Sequence, residues 1–272
     1  MHSRTLTAMA SSAAVLLSLT ACGSSIDDSA ATAPGDSSAA QLVEPGDLTV
    51  CSDVPYPPFE DFDKSAPSGF KGFDVDVITY VADSIGLNLV IKDSDFDALQ
   101  SGLALNAGQC DMVASALTIT EARKEKLGFS TGYYDSQQSL LVAADSGITG
   151  IDGLAGKKVG VQKGSTGEIY AQENVADADI VSFPSDAQMY AAIKAGQVDA
   201  LLQDLPVNLG HENDPGQPGA FTIAETYDTD ERYGFAFKKS NTGLIAEVDE
   251  ALAEMRDSGE YQKAYDSYFK TS

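Results

Sequence analysis

The sequence predicts an α/β protein built as two similar halves, and three observations carry that expectation. Short β-branched runs alternate with stretches whose apolar residues recur at helical spacing; the rhythm βαβαβ appears once and restarts after Gly153; and strand-like segments remain between and after the two halves. With 272 residues, the chain holds enough apolar sequence for one large or two small cores.

Residues 48–52, Leu-Thr-Val-Cys-Ser, read as a buried strand. Phe73, Val77, Ile78, Val81 and Ile85 recur at helical spacing and stop at Gly86, which predicts the first helix, and residues 89–92 are strand again. An amphipathic helix over 95–107 and a strand over 111–115 complete the first half, so its strands are expected to be parallel with right-handed crossovers. The second half repeats the pattern with strands over 157–162, 180–183 and 198–202 and helices over 165–172 and 186–195. Residues 139–143 and 233–237 are further strands, and helices over 243–258 and 260–270 follow. If both further strands cross between the halves, they form a two-strand hinge over a cleft.

The first residues have another purpose. Arg4 supplies a positive start, residues 8–19 are small and apolar, and Leu19-Thr20-Ala21-Cys22 closes the run, the pattern of a signal peptide over 1–21 and too short for a membrane span. A small-residue pair directly before a cysteine resembles the bacterial lipobox, in which Cys22 receives a lipid and becomes the new N-terminus; the alternative is ordinary cleavage that leaves Cys22 a free thiol. Two acyl chains anchor stably where one is marginal. Residues 22–43, rich in Ser, Ala, Asp, Gly and Pro, read as a flexible tether spanning about 25 Å.

Forty-one acidic against 17 basic residues give a charge of -24, and no basic cluster is denser than residues 123–126, so a nucleic-acid partner is excluded and the acid serves solubility. Cys51 and Cys110 are the cysteines of the folded region. Export permits a bond between them, but their placement on separate predicted strands argues against one. His211 lies in the polar stretch 210–219 and is expected to be solvated; with no Cys/His cluster, neither a metal nor a cofactor is expected.

In open α/β sheets a ligand sits beyond the carboxyl ends of the strands. Beyond the third strand come Ser115, Ala116, Thr118, Glu121 and Arg123; beyond the first strand of the second half come Ser165, Thr166 and Glu168. Thr118-x-x-Glu121 and Ser165-x-x-Glu168 both fit capping boxes, whose open amides suit a carboxylate, although many such boxes serve structure alone. Arg123, one turn into its helix, could grip the same anion bidentately or pair with Glu121 or Glu125 at the surface. Asp53 and Asp204 follow strands, and Asp204 could hold an ammonium. Tyr56 and Phe59 are stiffened by Pro55, Pro57 and Pro58, and Phe96 could close the other side. An anion seat, an ammonium seat and an aromatic slot together describe an amino acid.

The run of residues 48–60, then 69–76, Asp97-Ala-Leu99, Gly108-Gln-Cys-Asp111, 117–123 and 160–168 resembles the family 3 extracellular solute-binding proteins of ABC importers for polar amino acids, over nearly all of residues 44–269. The resemblance implies the type II periplasmic-binding-protein fold: two three-layer α/β lobes, here residues 44–141 with 237–272 and residues 142–236, joined by a two-strand hinge and closing on the ligand. It implies a monomer that delivers its cargo to an ABC permease. By motif, Arg123, Thr118 and the amide of Thr166 resemble the α-carboxylate site, and Asp204 with the backbone near Ala116 the α-ammonium site. Tyr56, Phe59 and Phe96 resemble the side-chain slot, with Asp53 and Ser115 at its far end. Ala116 stands where several members have serine, and Gln162 where some glutamine binders have lysine.

With Arg123 engaged by the α-carboxylate, an acidic side chain finds no spare cation. A basic side chain, as in arginine, lysine, histidine or ornithine, suits Asp53 and the aromatic rings; glutamine, citrulline or an opine-type modified amino acid is the alternative. A different class, a dehydratase-like enzyme on the same fold, would need a tuned acid or base in the cleft beyond these binding roles.

Overall fold

The computed structural model describes residues 40–270, so the signal peptide, Cys22 and most of the tether lie outside the described residues. The first part of the chain forms β1 (Asp47–Ser52), β2 (Asp61–Phe62), β3 (Phe70–Lys71), α1 (Phe73–Ser84), β4 (Asn88–Asp93), α2 (Phe96–Gln100), α3 (Leu103–Asn106), β5 (Met112–Val113), α4 (Glu121–Lys124) and β6 (Leu127–Phe129). Then come β7 (Tyr134–Ala143), β8 (Lys158–Gln162), α5 (Thr166–Asn174), β9 (Asp179–Phe183), α6 (Asp186–Lys194), β10 (Ala200–Asp204), α7 (Leu205–Glu212) and β11 (Phe221–Tyr233). The chain closes with β12 (Ala236–Lys238), α8 (Thr242–Asp257) and α9 (Glu260–Phe269).

Two five-stranded sheets result, ordered β4-β1-β5-β12-β6 and β11-β7-β10-β8-β9. Parallel pairing joins β1 to β4 and β5, and β8 to β9 and β10, as expected of βαβ units. Each sheet is covered on both faces. Leu48 and Val50 pack with Val77, Ile78 and Val81 of α1 and Leu244 and Val248 of α8, whereas Cys51 and Val113 face Phe96, Leu99 and Leu105. In the second sheet Leu140 and Leu202 join one core while their neighbours Leu141 and Leu201 join the other. Both halves are therefore three-layer lobes.

The chain crosses between lobes twice, after β6 and again between β11 and β12. The first crossing runs along the start of β7, a ten-residue strand that pairs with β11 along its length and whose first residue, Tyr134, still packs in the first lobe's core. The strand expected over 233–237 is split by Gly234 and Phe235 into the end of β11 and the start of β12. The helix expected over 95–107 is also broken: Gly102 takes φ +79, which separates α2 from α3.

Two further expectations are corrected. Cys51 and Cys110 are disulfide-bonded, Cα atoms 5.8 Å apart, because Cys110 precedes β5 directly beside β1. His211 is buried at 8% exposure, not solvated: it lies on α7, stacks on Tyr190 at 3.8 Å and places Nε2 2.8 Å from Asp186. Proline in the first turn starts this helix, and the polar residues after it hid its continuation.

Candidate functional site

Four chain segments converge between the lobes, each at the carboxyl end of a strand. Asp53 follows β1; the turn 114–118 follows β5; Gln162 ends β8 and leads into α5; Asp204 ends β10 and precedes α7. They enclose a cavity lined by Asp53, Tyr56, Phe96, Ser115, Ala116, Thr118, Arg123, Gln162, Ser165, Thr166 and Asp204. Its free volume, about 20 Å³, admits a water-sized molecule only, so a larger solute requires the lobes or side chains to part.

The turn after β5 is held in an unusual shape. Ala116 adopts φ +44, a left-handed conformation that costs a residue with a Cβ about 1 kcal/mol or more. Its amide donates to Asp74 Oδ2 at 3.0 Å, and Ser115 Oγ donates to Glu60 Oε1 at 2.7 Å. Gly72 makes this support possible: a Cβ there would lie 2.1 Å from the Phe59 carbonyl oxygen, so only glycine lets the loop carrying Glu60 rest on the start of α1.

Arg123 is buried. Its Nη1 donates to the Thr118 carbonyl at 2.7 Å, its Nη2 to the Gly164 carbonyl of the other lobe at 3.0 Å, and its guanidinium lies 5.6 Å from the Phe96 ring centre. Burial lowers its pKa to about 10, against the nearby charges of Asp204 and Glu231, so it stays a cation at neutral pH. Facing it, Ser165 caps α5 by accepting from the Glu168 amide at 3.0 Å, and Glu168 accepts from the Gly164 amide at 2.7 Å. The first-turn amides of α5, including that of Thr166, have no intrahelical acceptor and add the positive end of the helix dipole.

The opposite wall is acidic. Asp204 accepts from Tyr56 at 3.0 Å, from Tyr233 and from Gln138 Nε2, and its pKa is raised to about 7, first by burial and then by the charge of Glu231. Asp53 accepts from Gln162 Nε2 at 2.6 Å, yet burial, with smaller contributions from Asp93, Asp95 and Asp186, pushes it to about 7. Tyr56–Asp204, Asp53–Gln162 and Arg123–Gly164 each tie one lobe to the other. At the rim Lys163 pairs with Asp97 at 2.8 Å. Among the described residues, no cluster of three or more His, Cys, Asp or Glu side chains could hold a metal.

Most of the residues read from the sequence border this one cavity, with two differences. Phe59 is fully buried in the first lobe's core, edge-on to Phe73, Tyr134 and Tyr233, because the loop turns its ring away from the side on which Tyr56 is presented. Thr118 does not cap a helix: Thr120 caps α4, and the Thr118 hydroxyl donates to Glu231 Oε2 at 2.7 Å. Glu231, Gln138 and Tyr233 were not expected here. They belong to β7 and β11, which pair across the hinge; the polar course of β11 carries no apolar alternation to mark it as a strand.

Two α/β lobes, linked by two crossings and enclosing a polar cavity built from both, form the architecture of a two-lobed binding protein. Residues 48–271 match the bacterial extracellular solute-binding proteins, family 3, and the chain belongs to that family. Similar proteins include the lysine/arginine/ornithine-binding periplasmic protein of Escherichia coli, 32% identical over 83% of this chain and 88% of that one. The ABC transporter glutamine-binding protein of Bacillus subtilis is 31% identical over 76% of each chain. Among solved structures, an ancestral arginine-binding protein bound to glutamine superposes with a TM-score of 0.76 at 34% identity, covering 84% of this chain and all of that one. The family and these relatives are binding proteins, not enzymes.

Proposed function

We propose that this chain is the amino-acid receptor of an ABC importer, held outside the cell membrane by lipid on Cys22, and that it takes a basic amino acid. The observation that carries the reading is the polarity of the cavity: a buried guanidinium and a helix N-terminus on one side, two buried carboxyl groups on the other. Arg123 with the Thr166 amide would receive the α-carboxylate, Asp204 with the backbone near Ala116 the ammonium, and Tyr56 and Phe96 would flank a side chain whose far end meets Asp53 and Ser115. Asp53 favours a cationic end, since a positive charge there would relieve the burial that raises its pKa. The relatives named for lysine, arginine and ornithine support the same choice. Ligand would bridge the lobes and favour the closed form, which the permease reads; the receptor acts as a monomer.

One observation favours a second reading: Gln162 already satisfies one oxygen of Asp53, an arrangement that also suits the amide of glutamine or citrulline. A thermal-shift panel of amino acids, with ornithine, citrulline and opines, separates the two. Ligand at 100 times its dissociation constant adds about 2.7 kcal/mol, a shift of several degrees. A response confined to basic amino acids supports the first reading, one confined to glutamine or citrulline the second, and silence overturns both. Asp53→Asn should weaken a cationic ligand by about tenfold or more and a neutral one by much less.

A further inference from the structure

Glu231 lies just behind the cavity wall, is not itself among the lining residues, and is nonetheless the most heavily bonded acid near it. Its Oε2 accepts from the Thr118 hydroxyl at 2.7 Å and from the Thr166 hydroxyl at 2.7 Å, one from each lobe; its Oε1 accepts from Gln138 Nε2 at 2.9 Å and from the Thr229 hydroxyl at 3.0 Å. Gln138 Nε2 also donates to Asp204, so one amide holds both acids. A hydroxyl has one proton to give, and a carboxylate can only accept. With their protons committed to Glu231, Thr118 and Thr166 can offer a molecule in the cavity only lone pairs. Their oxygens lie 3.5 Å apart, so the two lone-pair faces are neighbours.

We infer that Glu231 is a positioning residue for ligand recognition: by taking both threonine protons it turns the Thr118 and Thr166 hydroxyls into acceptors, which receive the ligand's ammonium together with Asp204. The inference rests on the amino-acid reading above. It also divides the site more sharply, because the α-carboxylate is then left to Arg123 and to backbone amides, and Thr118 serves the ammonium through its hydroxyl. The same arrangement closes the lobes on one oxygen, since Thr118 and Thr166 reach Glu231 Oε2 together only when the lobes are near each other.

A double-mutant cycle on the full chain tests this. Titration calorimetry with L-arginine and L-glutamine first identifies which one binds the wild type, and the thermal-shift panel supplies another α-amino acid if neither does. Glu231→Gln should weaken that ligand by about tenfold or more, since the amide can donate to the hydroxyls and reverse their direction. In a Thr118→Val, Thr166→Val background the same change should alter affinity by less than about threefold, a coupling that lost packing at position 231 would not produce. Equal losses in both backgrounds, or none in either, overturn the inference while leaving the receptor reading intact. If Glu231→Gln does not fold, the double valine variant alone decides: it should weaken binding by about tenfold or more with an unchanged melting temperature when ligand-free, and unchanged affinity overturns the inference. A wild type that binds no α-amino acid removes the receptor reading and this inference with it.

Discussion

Asp204 and Glu231, at and just behind the cavity wall, and Glu60 and Asp74, beneath the turn 114–118, are both pairs of buried acids, yet only the first pair has donors on nearly every oxygen; Glu60 accepts from Ser115 and Asp74 from the Ala116 amide and the Tyr133 hydroxyl, each through one oxygen. Asp204 and Glu231 accept from Tyr56, Tyr233, Thr118, Thr166, Thr229 and the shared Gln138 amide, and Arg123 lies near enough to feel both charges. In the second pair Glu60 Oε2 and Asp74 Oδ1 have no hydrogen-bonding partner among the described residues. Burial first, and the charge of Asp74 second, push Glu60 well above the usual carboxylate range, and burial raises Asp74 to about 7. Burial raises Asp204 as it raises Asp74, each to about 7, so what separates the pairs is placement: Asp204 borders the cavity, where a cation would favour its charged form, while Glu60 and Asp74 lie beneath the turn and accept from it. On the proposed reading the pair at the cavity meets a ligand, whereas the other pair holds the turn at Ser115 and Ala116.

The largest effect should come from removing Arg123, whose charge both acids of the first pair feel. Arg123→Ala leaves two acids without a counter-charge and the anion seat without its guanidinium, so amino-acid binding should weaken by on the order of 3 kcal/mol, a hundredfold or more. Calorimetric titration reads this directly. The ligand-free melting temperature should move far less, and normal binding would show that the carboxylate is received elsewhere.

The second pair should reveal itself through pH without any ligand. Asp74 keeps its proton to about pH 7 in the folded chain but releases it near 4 when unfolded, and Glu60 is displaced in the same direction. A folded-state pKa above the unfolded value means that this stabilisation is complete below about pH 4 and is lost as pH rises through 7, by on the order of a few kcal/mol. Glu60→Gln can still accept from Ser115 and removes one of the two titrating groups. Chemical denaturation from pH 5 to 8 should therefore show a flatter profile for the variant; parallel profiles would mean that the pair ionises freely.

The comparison also explains what the sequence could disclose. The strands β1, β5 and β10 are short apolar runs, and the rule that ligands gather beyond strand ends leads from them to Asp53, Ser115 and Asp204 without further information. Arg123 and Ser165 stood out because helix starts have a recognisable chemistry. Glu231 and Gln138 carry no such mark: each is a polar residue in a strand whose partner is about ninety residues away, and their meeting depends on the register Gln138 opposite Tyr227, with a bulge between Tyr227 and Glu231. The cysteine pairing is not legible in the sequence because spacing along the chain does not report that β5 lies beside β1. Local patterns disclose elements and their ends; networks that hold buried acids arise from pairing between distant segments and are visible only once the sheet is assembled.

Tyr56 and Phe59 sharpen the same point with the smallest effect. From the sequence the two rings, framed by the same prolines, are equivalent, and only the structure separates them: the Tyr56 hydroxyl bonds Asp204 at the cavity, while the Phe59 ring is enclosed by Phe73, Tyr134 and Tyr233. Tyr56→Phe removes one of three donors to Asp204, which keeps Tyr233 and Gln138, so binding should change by only about 1 kcal/mol while thermal stability holds. Phe59→Leu should do the reverse, lowering stability by about 1 kcal/mol and leaving affinity within about twofold. Thermal unfolding and calorimetric titration of both variants would display the crossing. If Phe59→Leu weakened binding as much as Tyr56→Phe does, the core behind the cavity would be transmitting its packing to the ligand, and the division between groups that meet the ligand and groups that hold the backbone would fail at its nearest boundary.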